Sequence, residues 1–276
     1  MLSIIAKDFG PWVIVTGASS GIGREFCAQL AELGLDVVLV ARSEAKLTEI
    51  ADEIRSRRQI QTRVLALDLS EPDFLPTLLD GTADLDIGLV VSNAGADHMG
   101  ALLTIPLDDL RTVLRLNTVS HLDIAHGFGS RFLEKRKSAG LLFVSSTASL
   151  QTTPLLANYA GAKAYIFNLG GALHYELKGT GITSSVLVPG PTRTPGLTDR
   201  TDVDFGKVPM PPMEVSAVVN EGLMGLARNK PIIIAGRMNR FMNWMGRRLL
   251  TRGFTAKMWG MLMGRAAPER LKVKRA

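Results

Sequence analysis

Residues 12–23 of the chain read WVIVTGASSGIG, an apolar run that passes directly into three closely spaced glycines. The run Trp12–Thr16 is short and rich in β-branched residues, which is typical of a strand buried on both faces. Glycines after a strand allow a tight turn and a close approach of the backbone to a ligand. A helix is expected next, and the N–H groups of its first turn are suited to bind a pyrophosphate. The stretch therefore predicts a dinucleotide site at the loop residues Gly17, Ser19, Ser20, Gly21, Ile22 and Gly23.

Short apolar runs and helical patterns alternate along the rest of the chain. Further strands are predicted at Asp36–Ala41, Arg63–Leu67, Ile87–Ser92, Leu141–Ser145, Thr183–Val188 and Pro231–Ala235. Helices are predicted between them at Gly23–Leu33, Ala45–Arg58, Leu107–Lys137, Ala157–Lys178 and Val215–Ala227. This order is typical of βαβ units with right-handed crossovers. It predicts an α/β fold, with a doubly wound Rossmann-type parallel sheet of about seven strands and helices on both faces.

The composition excludes several other classes of protein. The chain has 276 residues, of which 46% are hydrophobic and 21% charged, so a large core is available and general disorder is excluded. The single cysteine, Cys27, excludes a disulfide framework and a Cys-based zinc site, and the histidines show no metal-ligand spacing. No secretory signal is expected, because the first ten residues have no basic stretch followed by a sustained apolar one, and no spanning helix is expected, because no uninterrupted apolar stretch of about 18 residues occurs. We therefore expect a cytoplasmic protein that holds no metal.

The positive charge is concentrated at the C-terminal end. Residues 222–276 hold 13 Lys or Arg and a single acid, Glu269, whereas residues 1–221 carry a net negative charge. Within Arg240–Leu250 one helical stripe holds Phe241, Trp244, Met245 and Leu249, and another is marked by Arg240, Asn243 and Arg247. We divide the chain into a domain of residues 1–236 and a basic amphipathic extension of residues 237–276. Residues Glu269–Ala276 are expected to be disordered.

Two roles for this extension remain open at the level of sequence. A basic helix with aromatic and Met residues fits a peripheral contact with a membrane surface or the groove of a partner. The same segment also fits a cover over a substrate pocket, or a subunit interface, with its arginines solvated. Nucleic-acid binding is not expected, because no nucleic-acid-binding module accompanies the charge.

Several further motifs follow the glycine loop in a fixed order. They are Asn93-Ala94-Gly95, Asn117, Ser146 with Tyr159-x-x-x-Lys163 beginning 13 residues later, and Pro189-Gly190. Together with the spacing G-x-x-x-G-x-G, they resemble the compact single-domain branch of the short-chain dehydrogenase/reductase family over about residues 10–235. Ser92 departs from the pattern, since the family more often has a second Asn there. The resemblance implies an oxidoreductase that interconverts a ketone or aldehyde and an alcohol with a nicotinamide cofactor, as a dimer or tetramer.

The spacing of Tyr159 and Lys163 places both side chains on one face of a helix. A nearby ammonium lowers the pKa of a phenol, so Tyr159 is predicted to be the acid in reduction and the base in oxidation. Ser146 is predicted to donate a hydrogen bond to the substrate oxygen; Ser145 is the alternative, but the spacing to Tyr159 favours Ser146. The resemblance further implies that Lys163 holds the nicotinamide ribose and that Asn117 supports a water beside Lys163.

The tip of the second strand selects between the two nicotinamide cofactors in folds of this kind. It ends with Arg42 and has no acid, and a planar guanidinium suits a 2′-phosphate, so NADP(H) is predicted over NAD(H). Asp68, after the third strand, resembles the family residue beside the adenine ring, but it could equally cap the following turn. By resemblance, Thr192 or Thr194 could reach the nicotinamide carboxamide or a phosphate.

The stretch Pro195–Pro212 is rich in Pro, Gly and Asp and fits either a lid over the pocket or a mobile insertion. As a lid it would contribute the apolar contacts Leu197, Phe205, Val208 and Met210. With the Met-rich extension, these residues predict a small hydrophobic substrate, such as an acyl-chain, steroid-like or aromatic ketone. Two other classes, a non-catalytic NADP(H) sensor and a membrane-associated scaffold, fit parts of the sequence. The complete Ser-Tyr-Lys-Asn set argues against the sensor, which has no need of an acid.

Overall fold

The structure is a computed structural model, and it describes residues 3–135, 138–199, 211–268 and 271. Within these residues seven parallel strands form one sheet in the order β3-β2-β1-β4-β5-β6-β7. The strands are β1 (Trp12–Thr16), β2 (Asp36–Ala41), β3 (Thr62–Ala66), β4 (Ile87–Ser92), β5 (Ala139–Val144), β6 (Ile182–Val188) and β7 (Ile232–Ile234). The predicted doubly wound α/β fold is confirmed, and every strand begins and ends within two residues of its predicted bounds.

Helices cover both faces of the sheet. They are α1 (Ser3–Phe9), α2 (Gly21–Glu32), α3 (Glu44–Arg57), α4 (Phe74–Asp80), α5 (Leu107–Leu114), α6 (Ser120–Lys135), α7 (Ala157–Glu176), α8 (Pro195–Thr198), α9 (Val215–Ala227), α10 (Arg237–Arg248) and α11 (Arg252–Ala266). One core lies between the sheet and α1, α2, α3 and α9, and a second lies between the sheet and α4, α6 and α7. Neighbouring residues of a strand face opposite cores, as Val13 and Ile14 of β1 do.

The strand order reverses direction between the central strand, β4, and its neighbour β1. The chain first winds outward from β1 to β3, and it then returns to the centre and winds outward again from β4 to β7. The loops that follow β1 and β4 therefore diverge and leave a crevice at the carboxyl ends of the strands, where ligands bind in open α/β sheets.

The helix predicted over Leu107–Lys137 is wrong in one respect, because it is interrupted. It consists of α5, a π-helical turn at Arg115–Val119, and α6, and residues 136 and 137 lie outside the described part of the chain. The Asn117 amide donates both to the carbonyl of Val113 and to that of Ala96 in the loop after β4. The wider π-helical turn thus lets the Asn117 side chain form hydrogen bonds with its own helix and with a distant loop. Hydrophobic periodicity in the sequence does not reveal such a turn.

The two C-terminal helices differ in how they contact the domain. On α11, Trp259 and Met263 are buried in a small apolar cluster with Met99 from the loop after β4. On α10, the predicted apolar stripe is largely exposed: Phe241, Trp244 and Leu249 are 54%, 53% and 65% exposed. The helices of the described chain include none that combines the length and the apolar character needed to cross a bilayer.

Candidate active site

A cleft of about 630 Å³ lies at the carboxyl ends of the central strands. The structure brings together in its lining all but two of the predicted site residues: Gly17, Ser19, Ser20, Gly21, Ile22, Arg42, Asp68, Asn93, Ala94, Gly95, Ser146, Tyr159, Lys163, Pro189, Gly190, Thr192 and Thr194. The two exceptions, Gly23 and Asn117, lie behind this surface. Residues from six loops thus converge on one crevice.

The glycine loop is fixed against the end of β4. The Thr16 hydroxyl accepts hydrogen bonds from the backbone N–H groups of Asn93 and Ala94 at 2.9 and 3.0 Å. The Asn93 amide in turn donates to the Thr16 carbonyl at 2.8 Å. Gly17 has φ +67°, and a Cβ there would lie 2.9 Å from Asn93 Nδ2, so only glycine permits this approach.

Gly23 does not line the cleft, in contrast to its predicted role as a cofactor contact. A Cβ at Gly23 would lie 2.1 Å from the Gly17 carbonyl oxygen, so this glycine allows α2 to pack directly on the loop. Helix α2 begins at Gly21, two residues before the predicted start, and its first turn has no side-chain cap from Ser20. The first residues of α2, Gly21 and Ile22, line the cleft, so this uncapped helix start borders a space where its N–H groups would suit an anionic phosphate.

The end of the cleft that lies beside the tip of β2 is cationic. Arg42 and Lys46 line it, and both are exposed, while Ser43 between them caps the first turn of α3. Lys46 was not predicted from the sequence, although its place one helical turn after Arg42 gave a signal. Asp68 also lines the cleft and accepts two hydrogen bonds from Ser70, so it both faces the site and stabilises the turn. Burial raises the pKa of Asp68, but the Ser70 bonds and the Arg42 charge outweigh it and hold the pKa below its ordinary value.

Tyr159 and Lys163 project from α7 into the centre of the cleft. Lys163 Nζ lies 5.8 Å from the centroid of the Tyr159 ring. The Ser145 hydroxyl is buried and donates to the Lys163 carbonyl at 2.7 Å, whereas the half-buried Ser146 hydroxyl accepts from the Ala148 N–H. Ser146 thus keeps its own proton available as a donor. This arrangement favours Ser146 over Ser145 as the group that faces a substrate.

Lys163 is almost completely buried, with 4% of its surface exposed. Its ammonium donates to the Val144 carbonyl at 3.1 Å. Burial lowers the pKa of Lys163 from 10.5 to about 8, and the negative charge of Asp97 opposes that shift. At neutral pH the cation persists in a site with little water around it, where its effect on a neighbouring phenol is strongest.

Asn117 lies behind Lys163 and does not line the cleft. Its Oδ1 atom is buried and has no hydrogen-bond partner among the described residues. A Cβ at Gly95 would lie 2.6 Å from this oxygen and 3.0 Å from Lys163 Nζ, so both polar atoms face the same glycine. A buried acceptor of this kind requires a donor, and a bridging water beside Lys163, the role that the resemblance implies, would provide one.

A buried histidine that the sequence analysis did not assign supports the Asn-Ala-Gly turn. His121 Nδ1 lies 2.7 Å from the Ser92 hydroxyl, and Nε2 lies 3.0 Å from the Ala94 carbonyl. Burial, followed by the charge of Lys163, lowers the pKa of His121 to about 3, so the ring is neutral. We assign the proton to Nε2, because a carbonyl only accepts, and Nδ1 then accepts from Ser92. Ser92, which departs from the family pattern, thus has a hydrogen-bond partner on α6.

The segment after β6 is described in part. Thr192 is buried, and its hydroxyl donates to the Gly190 carbonyl. Thr194 lies against the glycine loop, because a Cβ at Gly21 would lie 3.0 Å from the Thr194 methyl group. Leu197 lines the cleft on α8, whereas the predicted lid contacts Phe205, Val208 and Met210 lie outside the described residues, as do most of residues 269–276.

Helix α11 closes one side of the cleft. Trp259 and Met263 line the cleft near Leu156, so this helix covers the pocket, as one of the two readings of the extension predicted. The sequence analysis missed both residues, because helical spacing does not show what a helix packs against. In the described part of the chain no cluster of His, Cys, Asp and Glu has the arrangement of a metal site.

These residues fit a nicotinamide dinucleotide. The glycine loop and the free end of α2 would hold its pyrophosphate, Arg42 and Lys46 its adenosine end, and Tyr159 and Lys163 its ribose beside the reactive ring. When bound, this cofactor supplies or accepts a hydride. A carbonyl that becomes an alcohol needs an acid and a hydrogen-bond donor, and Tyr159 and Ser146 would be suited to these two roles.

Comparisons with known proteins agree with this geometry. A family model described as short chain dehydrogenase matches residues 11–203. The very-long-chain 3-oxoacyl-CoA reductase of Meyerozyma guilliermondii is 35% identical over 189 residues, which are 65% of this chain and 55% of that protein. The chain therefore spans about half the length of this curated relative.

Two solved structures extend the similarity beyond the matched segment. A 7beta-hydroxysteroid dehydrogenase superposes with a TM-score of 0.84 and 26% identity, over 93% of this chain and 99% of that one. A short-chain dehydrogenase from Sphingobium yanoikuyae in complex with NADPH superposes with a TM-score of 0.77 and 27% identity, over 90% of this chain and 96% of that one.

Replacing Lys163 with Met should stabilise the protein at pH 7 while it removes the cation. The folded-state pKa of about 8 lies below the ordinary 10.5, so the unfolded chain binds more protons between these values. The free energy of unfolding of the parent chain should therefore rise with pH across that window, and the variant should lack this rise. Denaturant unfolding at several pH values should show a gain of about 2–3 kcal/mol below pH 8 that is lost by about pH 10.5.

Lys178→Met, at an exposed lysine after α7, is the matched control and should leave stability nearly unchanged. A Lys163→Met variant that is less stable than the parent chain at pH 7 would contradict the argument from burial.

Proposed function

This chain belongs to the short-chain dehydrogenase family, and we propose that it is an NADP(H)-dependent oxidoreductase that interconverts a ketone or aldehyde and an alcohol. The observation that carries the proposal is the buried ammonium of Lys163 beside the Tyr159 ring, in a cleft that Ser146 also lines. A non-catalytic NADP(H) sensor would not require a desolvated cation beside a phenol, which costs stability.

In the direction of reduction, the Tyr159 hydroxyl donates its proton to the substrate oxygen as negative charge develops there. Ser146 donates a second hydrogen bond to that oxygen and fixes its position. Lys163 stabilises the phenolate that remains, and the polar route past Asn117 returns a proton from solvent. In oxidation the same groups act in reverse, with Tyr159 as the base.

The preference for NADP(H) over NAD(H) is supported by the charges at the adenosine end. Arg42 and Lys46 are exposed cations on the cleft, and Arg42 forms no ion pair with the described residues. A 2′-phosphate would accept charge-assisted hydrogen bonds from both. The similarity to a short-chain dehydrogenase in complex with NADPH supports the same proposal.

A hydrophobic substrate is supported by the apolar side of the cleft, where Leu156, Leu197, Trp259 and Met263 lie. The relatives named for 3-oxoacyl-CoA and 7beta-hydroxysteroid substrates support it as well. We further propose that the chain forms a dimer or tetramer, as the family commonly does. The division into residues 1–236 and 237–276 and a cytoplasmic location stay predictions.

A second candidate role, peripheral contact with a membrane surface, is favoured by the exposed side of α10. Phe241 and Trp244 stack with ring centroids 6.3 Å apart and are both more than half exposed. Cationic residues flank them, and residues 222–268 contain no acid. Exposed aromatic rings among cations are typical of helices that lie in the headgroup region of an anionic bilayer.

Replacing Tyr159 with Phe should lower kcat for NADPH-dependent reduction of ketones by about 100-fold or more, because the proton donor is lost. The measurement is NADPH consumption over a panel of acyl-chain, steroid-like and aromatic ketones. NADPH should still bind, weakened only by the one ribose hydrogen bond that the hydroxyl would supply. Tyr165→Phe, at an exposed tyrosine of the same helix, is the control and should retain full activity. Activity that survives the loss of the Tyr159 hydroxyl would rule out the proposed acid.

Replacing Arg42 with Asp should weaken NADPH binding by about 10- to 100-fold and improve NADH binding, since a carboxylate repels the 2′-phosphate and accepts a ribose hydroxyl. Titration with both cofactors, followed by nicotinamide fluorescence, measures the change. Arg58→Asp makes the same change in net charge at the far end of α3 and should have little effect. Unaltered NADPH affinity in the Arg42 variant would refute the assignment.

The double variant Phe241→Ser/Trp244→Ser should lower co-sedimentation with vesicles of phosphatidylserine and phosphatidylcholine by about tenfold or more, because it removes two aromatic anchors. Tyr175→Ser, at a tyrosine that is 69% exposed on α7, should sediment like the parent chain. Full-length protein that stays in the supernatant, or a double variant that sediments as well as the parent, would exclude the membrane role.

A further inference from the structure

A second cavity adjoins the catalytic cleft. It encloses about 880 Å³ between α7, the loop of residues 147–154 and the two C-terminal helices. Four residues line both spaces: Thr147, Gln151, Thr153 and Trp259. Because these residues are shared, the two spaces are adjacent, and the buried Trp259 indole lies at their boundary, beside the cleft that Ser146 and Tyr159 line.

The sizes of the two spaces indicate what the second one holds. Sites for a drug-sized ligand usually enclose about 300–1,000 Å³, and a nicotinamide dinucleotide is larger than such a ligand. The catalytic cleft, at about 630 Å³, is therefore largely used by the cofactor and the reacting end of a substrate. A substrate longer than its reactive carbonyl group has to continue elsewhere, and the second cavity begins beside that group.

The lining of the second cavity has a distinct chemistry. Its apolar part is formed by half-buried side chains from the 147–154 loop, α7, α10 and α11: Leu150, Phe167, Met242, Met245 and Met258. Unbranched methionine side chains adapt to flexible apolar ligands. Among the described lining residues the charged ones are Arg247 and Arg252, and neither pairs with a described carboxylate. The cavity thus offers an apolar middle and cations at the corner between α10 and α11.

We propose that this cavity is a substrate subsite that binds the far part of an elongated apolar ketone ending in an anionic group. The reactive carbonyl lies between Ser146 and Tyr159, the chain passes Trp259, and the anionic end meets Arg247 and Arg252. Trp259 is then the residue that determines which substrates continue from the cleft into the subsite. This inference rests on the proposed oxidoreductase function and adds the shape and charge of the substrate.

Gly246 on α10 gives a direct test, because it lines the cavity and a Cβ there meets no other atom within 4 Å. Leucine at this position has room for its Cβ, extends its remaining atoms into the subsite, and favours the helix over glycine. Gly264→Leu on α11 is the matched control, because Gly264 is equally free of contacts and lines neither space. The variants are compared on methyl ketones of increasing chain length that end in a carboxylate, and on their methyl esters.

In the parent chain, kcat/KM should rise with chain length, by up to about fourfold for each methylene that becomes buried. Gly246→Leu should abolish this rise and leave reduction of the shortest ketone unchanged, whereas Gly264→Leu should retain the rise. The double variant Arg247→Gln/Arg252→Gln should lower the ratio of kcat/KM for the acid to that for its methyl ester by about tenfold. Arg248→Gln, at a residue that does not line the cavity, should leave this ratio unchanged.

Failure of this inference can be distinguished from failure of the proposed function. Binding of the long-chain acid to the NADPH-bound Tyr159→Phe variant, measured by calorimetry, needs no turnover. Binding there that Gly246→Leu abolishes supports the subsite even where no ketone is reduced. A kcat/KM independent of chain length in an active parent chain overturns the inference. So does a Gly246→Leu variant that alters only the oligomeric state, because a second copy of the chain would then occupy the cavity.

Discussion

The rest of this site depends on the burial of one ammonium group, that of Lys163. Lys163 has lost nearly all contact with water, and within the described residues its compensation comes from the Val144 carbonyl and the charge of Asp97. Such a cation destabilises the fold, and in the proposed mechanism the same desolvated positive charge acts strongly on the Tyr159 phenol nearby. The neighbouring His121 adds no second positive charge. Burial and the charge of Lys163 lower the pKa of His121, so its ring remains neutral and forms a hydrogen bond with the Ala94 carbonyl.

The sheet supplies the rigidity that this arrangement needs. Thr16 and Asn93 bind the ends of β1 and β4 together at the point where the strand order reverses, so the phosphate loop and the Asn-Ala-Gly turn keep a fixed distance. Ser145, at the end of β5, holds the backbone of α7 at Lys163 itself. Ser146 lies just after β5, and Tyr159 and Lys163 lie on α7, which Ser145 holds against that strand, so none of the three depends on a long loop. Such rigid support is what orientation of a substrate requires.

The two C-terminal helices, α10 and α11, differ in what their large apolar side chains contact. Helix α11 turns Trp259 and Met263 inward and completes the wall of the cleft, whereas α10 leaves Phe241 and Trp244 in solvent. Between the pair and α7 remains a cavity larger than the catalytic cleft. The C-terminal helix pair thus shapes the space beside the proposed dinucleotide site, and the proposed substrate range and surface contacts both depend on it.

Much of the fold and the central site could be predicted from the sequence, because short-range rules govern them. Buried parallel strands are apolar runs, a phosphate loop is a glycine pattern after a strand, and Tyr159 and Lys163 share a helix face by their spacing alone. The remaining features required the tertiary structure. The π-turn at Asn117, the brace between Ser92 and His121, the packing role of Gly23 and the place of Trp259 in the cleft all depend on contacts between segments far apart in the chain. Hydrophobic period and residue spacing describe neighbours along a chain, whereas burial and desolvation are set by whichever distant segment packs against them.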